Sequence, residues 1–258
     1  MKEIKIAFFD VDGTLVNPRT GLISDRTKET LIRLRQNGIL LCIATGRPPA
    51  SLPDLTGLPF DAFLTCNGAL CYTENRIIAE NPIPADAVQK VIANAAVLGR
   101  PVTVALRDRL AANGMDPDLA EYYRMAGLEL TVAEDFDEAA RGHVYQMMLG
   151  CRVSDHEAVI RGIDGVSITY AWDRAADVIP NGNSKGSSIL RILEHFSLPA
   201  EEALAFGDGF NDREMLQTVG TGVAMGNAAA QLKAIADDVC GDTWDEGIYH
   251  YCIKHRLI

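Results

Sequence analysis

I-K-I-A-F-F-D-V-D-G-T-L, residues Ile4 to Leu15, is an apolar run that stops at an acidic turn. A short apolar run bounded by a turn signal reads as a strand buried on both faces, the kind found inside a parallel sheet. Its end carries two carboxylates at positions i and i+2. In extended backbone alternate side chains share a face, so Asp10 and Asp12 can point to one side while Val11 packs away and Gly13 permits a sharp exit. By itself D-x-D-G reads equally well as an Asx-type turn after a strand. A calcium loop counted from Asp10 is excluded, since it needs Gly where Leu15 stands and Glu where Gly21 stands.

The same design recurs along the chain. Ser24 can cap a helix whose Leu31 and Leu34 lie one turn apart and whose stop is Asn37-Gly38. Ile39 to Ala44 is a second buried strand, ending at Thr45-Gly46-Arg47, and Ala62 to Cys66 a third, ending at Asn67-Gly68. After a helix over Gly186 to Phe196, Ala203 to Phe206 ends in Gly207-Asp208-Gly209, Thr221 to Met225 ends at Gly226-Asn227, and Trp244 to Ile258 reads as a final helix. Between about Ile83 and Asp177 helical patterns such as Ala85 to Leu98 alternate with strand-like Val102 to Leu106 and Val144 to Cys151, without polar strand ends. The expected architecture is therefore α/β: a doubly wound, Rossmann-like parallel-sheet core over residues 1–82 and 178–258, with an α+β domain inserted over residues 83–177. The connections are expected near Asn81 to Pro84 and Asp177 to Gly182. In such a sheet ligands bind at the carboxyl edge, where the small and polar residues gather.

Composition narrows the chemistry. The chain has 258 residues, enough for two modules, and its 48% hydrophobic and 23% charged residues are those of an ordinary globular protein. A net charge of -11, with Lys and Arg scattered, gives no basic field for nucleic acid. Such a protein repels anionic substrates at long range, so a phosphate ester would need local cations to reverse the sign. The six cysteines show no C-x-x-C pair or zinc spacing and read as reduced packing residues. The first ten residues lack the features of a secretory leader and no apolar run approaches a bilayer span, so a cytoplasmic location and no membrane partner are expected. Oligomeric state is not legible.

Three further motifs complete the constellation. A-T-G-R at Ala44 to Arg47 offers a hydroxyl, a loosened backbone and a cation; taken singly, Thr45 reads as a cap and Arg47 as a surface charge. N-G-N-S-K-G at Asn181 to Gly186 brings Lys185 to a helix start, where a cation opposes the helix dipole, which hints at a purpose. The Walker pattern is absent because Ser184, not Gly, precedes the lysine. G-D-G-F-N-D at Gly207 to Asp212 sets Asp208 directly after a strand, with Asn211 and Asp212 opening the next helix, where Asp212 alone would be ordinary capping. Four such strand ends on one sheet are hard to assign to chance.

In this order, D-V-D-G-T-L, A-T-G-R, a Lys before a helix and G-D-G-F-N-D resemble the haloacid dehalogenase superfamily. N-G-A after the third strand, the insertion between the second and third motifs, and G-V-A-M-G-N-A at Gly222 to Ala228 resemble its Cof-like phosphatases with a type IIB cap. The resemblance implies a phosphatase of small phosphorylated metabolites, sugar phosphates by default, with Asp10 as nucleophile and Asp12 as general acid and base. It implies Thr45 and Lys185 as phosphate ligands, with Gly46, Arg47, Asn67 and Asn211 also toward the substrate. Mg²⁺ is implied on Asp10, the Asp12 carbonyl and Asp208, with Asp212 in support. A phosphomutase is the near alternative. A phospho-receiver module is the distant one, because its phosphorylated Asp follows the third strand, where this chain has Asn67; a phosphate-binding module without catalysis is the last.

Electrostatics explains why these residue types belong together. A carboxylate approaching a phosphate dianion meets a repulsion of roughly 4 kcal/mol per unit-charge pair at ~4 Å and an effective dielectric of about 20. A divalent cation and Lys185 would neutralise it. Two carboxylates doing different work must then titrate apart.

Overall fold

The computed structural model describes residues 3–170 and 172–258. Its elements run β1 (Ile6–Phe9), α1 (Asp25–Gln36), β2 (Leu40–Ala44), β3 (Ala62–Thr65), β4 (Leu70–Tyr72), β5 (Ile77–Glu80), α2 (Ala85–Val97), β6 (Val102–Ala105), β7 (Leu110–Ala112), α3 (Pro117–Met125), α4 (Phe136–Ala139), β8 (Gln146–Leu149), α5 (His156–Val159), β9 (Val166–Thr169), β10 (Ala176–Pro180), α6 (Lys185–Phe196), β11 (Ala203–Gly207), α7 (Arg213–Thr218), β12 (Thr221–Ala224), α8 (Ala230–Lys233), β13 (Asp238–Val239) and α9 (Gly247–Lys254). The strands form two sheets, an eight-stranded one in the order β13-β12-β11-β1-β2-β3-β4-β5 and a five-stranded one in the order β7-β6-β8-β10-β9.

The opening apolar run is central because all four residues of β1 are fully buried and both its neighbours, β11 and β2, run parallel to it. One face of the sheet packs Ile6, Phe8 and Leu64 against Ile189 and Ile192 of α6 and Met215 of α7. On β1 and β11 the paired rings of Phe9 and Phe206 stack at 5.5 Å, and Tyr251 of α9 meets Phe206 edge-on at 5.3 Å. Helices thus cover both faces, which a parallel sheet requires. Ser24 caps α1 by accepting from the Thr27 amide, as its sequence suggested. The chain moves outward from β1 through β2 and β3, then returns to the other side through β11, β12 and β13. That reversal puts a topological switch point between β1 and β11, where a doubly wound sheet opens a ligand crevice.

The chain divides into two compact units: Met1–Gly46, Asp54–Ala79 and Ser184–Ile258 form the first, Arg47–Pro53 and Glu80–Asn183 the second. A boundary between residues 177 and 178 does not survive, nor does a connection starting at Asp177. That cut falls inside β10, whose backbone pairs antiparallel with β8 and β9 of the five-stranded sheet. Val178 to Pro180 has the apolar look of a core strand, but its hydrogen bonds place it in the second unit. The short segment Arg47–Pro53 also clusters there, which nothing in its composition announced.

Among the described residues the strands of the second unit pair with one another antiparallel, with one isolated parallel bridge from Ala112 to Val132. The period of two shows in β8: Met147 and Leu149 face a cluster containing Val88 and Val91 of α2, while Met148 faces Leu119 and Tyr123 of α3. Asp177 of β10 is 5% exposed. Burial pushes its carboxyl up to about 7, and hydrogen bonds from Tyr122 and Gln146 hold it from rising further. Between pH ~4 and ~7 the folded chain therefore keeps a proton that the unfolded chain has lost. Stability contributed by this proton is complete at low pH and lost as pH rises through that window, by up to about 4 kcal/mol. Asp177→Asn is expected to match the parent's melting temperature near pH 4 and exceed it at pH 8. A difference between the two melting curves that does not change with pH would contradict this.

Candidate active site

Asp10 leaves the end of β1 6% exposed, while Asp12, two residues on, is exposed. The turn between them and α1 is tied by amides of Leu15 and Val16 donating to the Val11 carbonyl at 3.0 and 2.7 Å. Gly13 stands at φ +82°, and a Cβ there would overlap the Asp208 carboxylate. Only glycine suits both demands. Across the switch point, Asp208 follows β11. Asp212 folds back under it, its Oδ2 accepting from the amides of Asp208 at 2.9 Å and Gly209 at 2.8 Å.

Lys185 is the first residue of α6, set by a capping box in which Ser184 and Ser187 satisfy each other's amides. Its ammonium, fully buried, donates to Asp10 Oδ1 at 2.6 Å and to Asp212 Oδ1 at 2.5 Å. The dipole-unfavourable placement is thereby explained: desolvation would discharge this lysine, but the two carboxylates outweigh it and raise its pKa. Asp10, Asp208 and Asp212 each offer an oxygen lying within 4.8 Å of the others. Burial, and then the Asp212 charge, drive the Asp10 carboxyl well above the usual range, against the pull of Lys185. Asp208 is pushed up to about 7 for the same two reasons. Buried carboxylates outnumbering the cation among them are a site short of positive charge.

The donor set suits a hard divalent ion. All three side chains are carboxylates, as Mg²⁺ prefers, and none is the imidazole or thiolate that zinc favours. The Asp12 carboxylate is not part of that trio.

Thr45 and Asn67 lie at the same sheet edge. Thr45 is 1% exposed at the end of β2, and the Asn67 amide donates to its carbonyl at 3.1 Å. Asn67 itself takes a left-handed backbone, φ 52°, and its side-chain oxygen accepts from Asn211 Nδ2 at 3.1 Å. A Cβ on Gly46 would come within 3.1 Å of that same oxygen. Thr45, Gly46, Asn67 and Asn211 therefore gather as one group. Arg47, the next residue in the chain, donates from Nη1 to the carbonyls of Ser51 at 2.7 Å and Ala126 at 2.9 Å, fixing its segment to the end of α3.

Three residues with no role assigned from sequence hold Asp208 and the Gly13 turn in place. Thr14 Oγ1 donates to Asp208 Oδ1 at 3.0 Å, and Asn227 Nδ2 donates to Asp208 Oδ2 at 3.2 Å and to the Gly13 carbonyl at 2.9 Å. Thr243 then donates its hydroxyl to that carbonyl and its amide, at 3.0 Å, to Asn227 Oδ1. The one sequence signal was that Asn227 follows a strand end.

A doubly wound α/β core whose switch point gathers three carboxylates and a buried lysine is the arrangement of a hydrolase. The chain belongs to the haloacid dehalogenase-like hydrolases, whose family model matches residues 7–252. Among proteins similar to it are YkrA of Bacillus subtilis (strain 168), 32% identical with 97% of this chain and 96% of that one covered, and an HMP-PP phosphatase of Escherichia coli O6:H1, 30% identical with 98% and 96% covered. Among solved structures the sugar phosphatase BT4131, of subclass IIB, superposes with a TM-score of 0.89 at 31% identity, covering 98% of this chain and 100% of that one. No helix of the described residues is long and apolar enough to cross a membrane.

Proposed function

We propose that this hydrolase is a Mg²⁺-dependent phosphatase of small phosphorylated metabolites, sugar phosphates foremost, acting through an aspartyl-phosphate on Asp10. The observation that carries this is the meeting of Asp10, Asp208 and Asp212, two of which, Asp10 and Asp212, grip the ammonium of Lys185. The similar subclass IIB sugar phosphatase and HMP-PP phosphatase point the same way. Held by Asp10, Asp208, Asp212 and the Asp12 carbonyl, Mg²⁺ would supply the charge that lets a carboxylate approach a phosphate dianion.

The chain's own residues do the rest. A carboxylate oxygen of Asp10 forms a bond to phosphorus as the bond from phosphorus to the ester oxygen breaks, and Asp12 gives its proton to the departing alkoxide. Water then attacks the phosphorus of the aspartyl-phosphate, Asp12 takes the proton from that water, and the bond to Asp10 breaks to release inorganic phosphate. Lys185, Thr45, Gly46, Asn67 and Asn211 hold the phosphoryl oxygens, with Arg47, next in the chain after Gly46, also toward the substrate.

The test is phosphate release from a panel of phosphorylated metabolites with Mg²⁺ and with chelator. Release is expected with the metal and none without it. Asp12→Ala should still bind substrate while turning over slower by a factor on the order of 10²–10⁴. An isomerised ester with no free phosphate would make the enzyme a mutase. Full turnover in chelator would end the metal-dependent reading.

A further inference from the structure

The turn that leads into α9, Asp242 to Glu246, grips the loop between β1 and α1 at three points. Thr243 gives its hydroxyl proton to the Gly13 carbonyl. The guanidinium of Arg19 lies 3.7 Å from the centre of the Trp244 ring. Glu246 Oε2 accepts from Ser24 Oγ at 2.7 Å and from Thr27 Oγ1 at 3.3 Å, where α1 begins. The turn itself is closed by the amides of Asp245 and Gly247, which donate to the Asp242 carbonyl at 3.1 and 3.0 Å. The Gly226 amide donates to the Gly241 carbonyl at 3.0 Å and so ties the turn to the segment after β12. Glu246 holds its contacts from a left-handed backbone, φ 56°, which an L side chain adopts only at a cost.

Asn227 turns this grip toward the acidic trio. Its Oδ1 accepts from the Thr243 amide at 3.0 Å, and a backbone amide can only donate, so the NH₂ is forced to the other side. From there Nδ2 donates to the Gly13 carbonyl at 2.9 Å and to Asp208 Oδ2 at 3.2 Å. Thr14 Oγ1 holds the other oxygen, Oδ1, at 3.0 Å. Each Asp208 oxygen thus has one fixed donor, and a carboxylate with about four acceptor sites keeps roughly two for an ion. Gly13 needs the clamp because glycine has the freest backbone and this one directly follows Asp12. Its amide donates to the Val16 carbonyl at 3.0 Å, while its carbonyl is held by Asn227 and Thr243. In a planar trans peptide the Asp12 carbonyl points opposite to the Gly13 amide, so these bonds set its direction.

We infer that Asn227 and Thr243 are positioning residues for the divalent ion. Neither belongs to the acidic trio; together they hold the Asp208 carboxylate and the Asp12–Gly13 peptide in a single arrangement, anchored by the C-terminal turn. The inference rests on the metal-dependent reading above and deepens it. Groups that orient metal ligands from behind commonly change affinity for the ion by a factor of roughly 10–100. A purely structural pair would act otherwise: its loss would lower stability without metal and leave the affinity alone.

The experiment is calorimetric titration of Mg²⁺ into the metal-free full chain, for the parent, Asn227→Ala, Thr243→Val and Thr243→Ser. Valine keeps the shape of threonine without its hydroxyl and serine keeps the hydroxyl, so this pair carries the test even where Asn227→Ala fails to fold. Melting curves in chelator verify that each variant is folded. The dissociation constant should rise roughly tenfold or more in Asn227→Ala and Thr243→Val, and stay within about threefold of the parent in Thr243→Ser. The Mg²⁺ concentration for half-maximal phosphate release should move by the same factor. A folded Thr243→Val that binds Mg²⁺ as tightly as the parent would overturn the inference, as would an equal loss in Thr243→Ser. A parent that takes up no Mg²⁺ would sink the metal-dependent reading and this inference with it, whereas a binding parent matched by its variants sinks this inference alone.

Discussion

Asp10→Asn should abolish turnover, with a fall on the order of 10⁴ or more in kcat, and leave the fold at least as stable as the parent's. Asparagine fills the same volume and its Oδ1 still accepts from Lys185, now bonded to Asp10 at 2.6 Å. What it removes is one of three clustered carboxylates, so the repulsion among them eases and the melting temperature should hold or rise. What it cannot do is attack phosphorus, because the amide oxygen carries no full charge. Two measurements separate the chemistry from the fold. Rapid-quench mass spectrometry of the parent with substrate should find a peptide containing Asp10 heavier by one phosphoryl group, and the variant should show none. If the variant keeps activity within tenfold of the parent, Asp10 is not the nucleophile.

That prediction rests on residues whose arrangement could be read before any coordinates. The run from Ile6 to Phe9 is apolar at every position because it is covered on both faces, and its polar end marks the carboxyl edge. Asp10 and Asp208 were legible because each ends an apolar strand, and Lys185 because it stands against the helix dipole, whereas Asp212 alone looked like ordinary capping and stood out only through its motif. Thr14, Asn227 and Thr243 were not. They act by holding Asp208 and the Gly13 carbonyl across more than 190 residues of chain in the Thr14 contact, and a lone Thr or Asn after a strand end looks like any turn residue. The end of the inserted unit was misread because β10 is as apolar as a core strand, and partner choice in a sheet is decided by register that a single strand does not encode. Arg47 also makes a contact that its motif position does not announce: besides the nearby Ser51 carbonyl it donates to that of Ala126, nearly eighty residues along the chain.

Lys185→Met is expected to damage stability as well as chemistry, and metal should repair only the first. The ammonium is fully buried between Asp10 and Asp212, with Asp208 close by. Its removal leaves like charges facing one another in a place water does not reach, and breaking such a pair typically costs about 3–5 kcal/mol. In metal-free buffer at pH 8 the melting temperature should therefore drop by roughly 10 °C. The deficit should shrink as pH falls, since protonating the carboxyls removes the repulsion. It should also shrink when Mg²⁺ is added, because a divalent ion bound to the acidic trio supplies the charge the lysine no longer does. Turnover should stay down by a factor on the order of 10²–10³ even at saturating Mg²⁺, since a methionine offers the phosphoryl oxygens no donor. Melting curves with and without the metal, beside phosphate release under the same conditions, separate the two effects. A variant as stable as the parent at pH 8 without metal would mean that the acidic trio does not need its buried cation.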